Sequence, residues 1–80
     1  MSVLKYNPKP RTETYRIAVF NATGNGVAEF ETLPGQTLDQ RHETCQSIAD
    51  QIPQGYTLQV FLGVHTIGRT THFNRKIQWN

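Results

Sequence analysis

Thr37-Leu38-Asp39-Gln40 has the spacing of a capping box. In that motif the Thr37 hydroxyl and the Gln40 side chain each satisfy a backbone N–H that the first turn of a helix leaves unpaired. Apolar residues then fall at Leu38, Cys45, Ile48, Ala49 and Ile52, one stripe at helical spacing with His42 on its edge. Asp39, Gln40, Glu43, Gln46 and Asp50 make the polar face. Pro53 ends the pattern and Gly55 turns the chain, so one amphipathic helix is predicted over 38–51. A single helix can cover one face of a sheet and no more, and that limit governs the rest of the fold.

The flanking segments read as strands. TETYRIAVFN (12–21) and VAEFETL (27–33) are joined by ATGNG, whose Gly and Asn tolerate positive φ, and Pro34-Gly35 stops the second run. Asn21-Ala22-Thr23 matches a glycosylation acceptor but reads as part of that turn. YTLQVFLGV (56–64) puts Leu58, Val60, Leu62 and Val64 on one side. HTIGR is expected to bend the chain, with 70–79 as the last strand. The predicted fold is therefore α+β, a two-layer sandwich of β-β-α-β-β order, with one helix on a four-stranded antiparallel sheet. Residues 1–11, with Pro8 and Pro10 among polar neighbours, read as an extended basic arm, and 12–80 as the single domain.

Faces follow from the period of two. The core side should take Tyr15, Ile17, Val19, Ala28, Phe30, Leu58, Val60, Leu62, Val64, Phe73, Ile77 and Trp79. The uncovered side then holds Arg16, Ala18, Phe20, Glu29, Glu31, Thr57, Gln59, Phe61, His72, Asn74 and Lys76. Arg75 fits worst: this register turns it inward, where an unpaired charge is costly, unless it reaches Asp50 or Glu43 beyond the helix. From the open face, the expected partner-binding residues are Arg16, Phe20, Gln59, Phe61, His72, Asn74 and Lys76.

Catalytic and metal chemistry find little support. The hydrophobic fraction of 36% in 80 residues leaves little material for a deep closed cleft. His42 and Cys45 are three apart on the helix, with His65 and His72 near the last hairpin, but no close Cys pair accompanies them. Cys45 sits on the apolar stripe, as a small core residue does. No enzyme activity, cofactor or metal is expected. The lone Cys45 excludes an internal disulfide and fits a reducing compartment. The N-terminus lacks a signal-peptide pattern, so a cytoplasmic location is expected, the host cytoplasm if the chain is phage-encoded.

Charge is segregated. Residues 1–16 carry Lys5, Lys9, Arg11 and Arg16 against Glu13, residues 17–64 carry Arg41 against five acids, and residues 65–80 carry Arg69, Arg75 and Lys76 with no acid. Two basic ends on an acidic body suit an oriented encounter with another macromolecule. The leading expectation is a small non-enzymatic protein that docks on a protein partner, in its narrowest form a phage or mobile-element inhibitor of a host factor such as a defence nuclease complex. The alternatives are a single-stranded nucleic-acid-binding module that stacks bases on Phe20 and Phe61, and a structural homodimer.

Overall fold

The computed structural model describes residues 13–80, so the arm expected over 1–11 lies outside the described residues. Five strands and one helix follow in chain order: β1 (Arg16–Phe20), β2 (Gly26–Glu31), α1 (Leu38–Gln51), β3 (Thr57–Leu62), β4 (His65–Arg69) and β5 (Gln78–Trp79). The sheet order is β2-β1-β3-β4-β5, every neighbouring pair antiparallel, with α1 against one face. The α+β two-layer architecture is as predicted, with one strand more.

Local chemistry builds the elements as anticipated in the first two-thirds of the chain. The Asn21 side chain accepts from the N–H groups of Thr23 and Asn25, and Gly24 takes φ 90°, which closes the β1–β2 hairpin. The capping box forms in both directions: Gln40 N–H donates to the Thr37 hydroxyl at 3.1 Å, and Thr37 N–H donates to Gln40 Oε1 at 2.9 Å. Ile17 and Val19 of β1 and Leu58 and Val60 of β3 meet Cys45 and Ala49 of the helix and Ile52 at its C-cap, with Tyr15 and Ile77 closing the ends.

The structure corrects four expectations. HTIGR is a strand, β4: the bend comes earlier, at Gly63 (φ 63°), and leaves Val64 89% exposed at the hairpin tip. Residues 70–79 are a strand only at 78–79. Thr70 exchanges two bonds with Leu58, its hydroxyl accepting the Leu58 N–H and its own N–H donating to the Leu58 carbonyl. The chain then leaves the sheet as a loop and returns at β5, so Phe73 is 99% exposed instead of inward. Ala28 and Phe30 are also exposed, because β2 is the outermost strand and lies beyond the helix, which packs on β3. In the helix, Arg41 is 3% exposed and takes the place in the buried stripe expected of Leu38, which is exposed. Arg41, Cys45 and Ala49 are four apart and so share one face. The Arg41 guanidinium lies 4.7 Å from the centre of the Tyr15 ring, although its Nε has no hydrogen-bond partner among the described residues.

Candidate functional site

The open face of the sheet is a self-satisfied surface. Arg16 pairs across the strands with Phe61, and its guanidinium lies 4.8 Å from that ring's centre. Its Nε also sits 3.3 Å from Glu29 Oε2. One cation thus covers the aromatic and meets the acid, an arrangement worth roughly 0.5–1 kcal/mol at an exposed site. Phe20 packs over Gly26, its partner on β2, and Gln59 faces Arg69 on β4. Arg16, Phe20, Gln59 and Phe61 therefore share one surface as expected.

His72, Asn74 and Lys76 are not on it. They belong to the loop between β4 and β5, which a chain of hydrogen bonds holds in shape. Phe73 N–H donates to the Thr71 hydroxyl at 3.3 Å, Thr71 N–H to the Asn74 carbonyl at 3.2 Å, and Lys76 N–H to Asn74 Oδ1 at 2.9 Å. His72 Nδ1 is 3.0 Å from the Gly55 carbonyl, which ties the loop to the turn after the helix. The other end is fastened by Gln46. Its Oε1 accepts the Ile77 N–H at 3.0 Å, and its Nε2 donates to the Arg75 carbonyl at 3.1 Å and to Asp50 Oδ1 at 2.9 Å. Arg75 points outward and its Nη1 donates at 3.4 Å to the backbone carbonyl of Asp50, so it stays at the surface beyond the helix. A cleft of about 480 Å³ opens between this loop and Gln54, Gly55 and Tyr56, with Phe73 on its rim.

The Gln46 fastening gives a prediction. Gln46→Leu keeps the stem but leaves the partly buried Ile77 N–H without an acceptor, at a cost of about 1–3 kcal/mol. Hydrogen exchange at Lys76, Ile77 and Gln78 should speed up while that of β1 and β3 changes only by the global loss. Unchanged exchange in that segment would mean that the loop holds itself.

Cys45 and His42 have structural surroundings. Burial pushes the Cys45 thiol up to about 11, so it stays protonated at neutral pH and is no ready nucleophile. The His42 ring stacks on Trp79, centroids 3.9 Å apart and planes 10° from parallel. Among the described residues no group of three or more His, Cys, Asp or Glu is placed to hold a metal ion, and no helix is long and apolar enough to cross a membrane. Sequence reasoning missed Phe73 and the Gln46 clamp. The available signal was Asn74, a poor strand former two residues before Lys76, where its side chain can cap a turn. No protein-family model matches the chain, and no curated protein or solved structure is significantly similar to it.

Proposed function

We propose that this protein acts without catalysis, by docking on a protein partner through the loop at residues 71–76. Phe73 carries the reading. It is 99% exposed on a loop whose backbone bonds fix its position before any partner arrives. Burying a Phe side chain contributes about 2–3 kcal/mol, and a loop already ordered loses little entropy on binding. His72 stands edge-on to the ring with centroids 6.5 Å apart, and Arg75 and Lys76 lie exposed on the same loop, which favours an apolar recess rimmed by acids on the partner. His72, Asn74 and Lys76 remain binding residues in this reading, joined by Phe73 and Arg75, while Arg16 and Phe61 are engaged with each other. In its narrower form the protein is an inhibitor that occupies a working surface of a host factor, such as a defence nuclease complex.

The second reading, a nucleic-acid-binding module, draws on the same loop, since an exposed ring beside cations also suits a base and its phosphates. A pull-down from bacterial lysate separates the two, using wild type, Phe73→Ala and Phe20→Ala/Phe61→Ala with and without nuclease. Nuclease-resistant capture should fall by roughly 30-fold or more in Phe73→Ala, as expected for an aromatic anchor, with the thermal midpoint unchanged. Capture that disappears with nuclease and weakens steeply with salt selects nucleic acid. Capture lost only in the Phe20/Phe61 variant returns the site to the open face.

A further inference from the structure

We propose that the outer edge of β2 is a second docking surface, which accepts an extended segment of a protein partner in which Lys or Arg alternates with an apolar residue. This goes beyond the Phe73 loop, which joins β4 to β5 at the other end of the sheet order from β2. Among the described residues no strand pairs with the outer side of β2, and all six of its residues are exposed.

Backbone alternation fixes what the edge offers. Thr32 N–H donates to the Tyr15 carbonyl, so the next bonded pairs inward are Phe30 with Ile17 and Ala28 with Val19. The N–H and C=O groups of Glu29 and Glu31 are therefore directed away from the sheet, ready to pair with an added strand. Their side chains rise on the open face. A residue seated opposite either one rises on that face too, and a cation there meets a carboxylate. Among the described residues the Arg16 contact uses a single oxygen of Glu29, and the Glu31 side chain accepts only the Thr14 hydroxyl at 2.7 Å.

The intervening residues of the added strand point the other way, toward the helix side. There β2 and α1 leave a groove of about 370 Å³, lined chiefly by Val27, Phe30, Ile48, Ile52 and Tyr56. The groove exists because the helix packs on β3 and stops short of the outermost strand. Apolar residues at alternate positions fill it. A second copy of the same strand fits poorly, because two-fold antiparallel pairing of β2 with itself sets Glu29 and Glu31 against their own equivalents.

The probe is an acetylated and amidated hexapeptide of alternating lysine and valine, titrated into the full chain labelled with ¹⁵N. Saturable shifts are expected at the Glu29 and Glu31 amides, whose exchange should also slow. Glu31→Lys should weaken the peptide roughly tenfold and improve binding of the glutamate–valine counterpart. Methylating the peptide's lysine amide nitrogens, which are the ones directed at β2, should weaken it at least as much, and Phe73→Ala should leave it unchanged. The proposal is overturned by undiminished binding of the methylated peptide, by shifts confined to residues 71–76, or by no binding at millimolar peptide. It is overturned as well if the Glu29 and Glu31 amides are already protected without peptide. A doubled mass in sedimentation would then assign the edge to a second copy, and a monomer mass to the chain's own first twelve residues.

Discussion

Leu58→Ala is expected to remove about 3 kcal/mol of stability, the middle of the range for emptying a fully buried leucine site. Leu58 lies on β3, the central strand of five, opposite Val19 and beneath the helix, and it is 0% exposed. The site cannot collapse easily. Its backbone is held on both sides, by β1 through the ladder and by Thr70 through bonds to its N–H and C=O. A cavity left there stays open, and the neighbouring Ile17, Val60 and Cys45 are themselves fully buried. Domains of this size hold only about 5–10 kcal/mol in total, so the urea midpoint should fall by roughly a third to three-fifths with the slope unchanged. Phe30→Ala is the contrast: a larger side chain, but 45% exposed on the edge strand. Its loss should be well under that of Leu58→Ala. Equal losses from the two would mean that the helix covers β2 after all.

The same contrast marks what could be read in the sequence. The helix was legible to its termini, because its signals are local: a capping box at Thr37, a stripe at helical spacing, Pro53 as a stop. The first three strands were legible for a similar reason, since alternation and turn residues lie within a few positions of each other. What failed depended on pairing between distant segments. Whether Ala28 and Phe30 are covered is decided by which strand ends at the edge, and β3 returning beside β1 puts β2 there. Whether Phe73 faces inward depends on where β4 stops, which the Thr70–Leu58 bonds decide. Arg41 carries a charge and so reads as a solvent residue, yet its stem and its contact with Tyr15 make it part of the core. The expected binding list was split for the same reason. Arg16, Phe20, Gln59 and Phe61 came from strands correctly registered, and His72, Asn74 and Lys76 from a strand that is a loop.

Gly68 shows how one misread residue links the fold to the loop. HTIGR was expected to bend the chain, but a glycine inside a strand also marks a close approach. Gly68 faces Trp79 across β4 and β5, and a Cβ built on it would lie 2.7 Å from Trp79 Cε3, 2.9 Å from Cζ3 and 3.0 Å from Ile77 Cγ2. The indole cannot retreat without giving up its packing, since His42 on the helix stacks on its ring at 3.9 Å and Tyr15 packs nearby. Gly68→Ala should therefore push Trp79 and Ile77 outward and lower stability by about 2–3 kcal/mol, despite being the smallest possible side-chain addition. Trp79 is the only tryptophan, so its emission reports the displacement directly, and a red shift is expected in the folded variant. Moving Ile77 also pulls its N–H from Gln46 and loosens the base of the Phe73 loop. Capture of a partner that depends on Phe73 should fall with it, although Phe73 itself is untouched. An unshifted emission maximum and an unchanged midpoint would place β5 away from β4. A red shift with full capture would separate the loop's order from its binding and take the preorganisation argument away from Phe73.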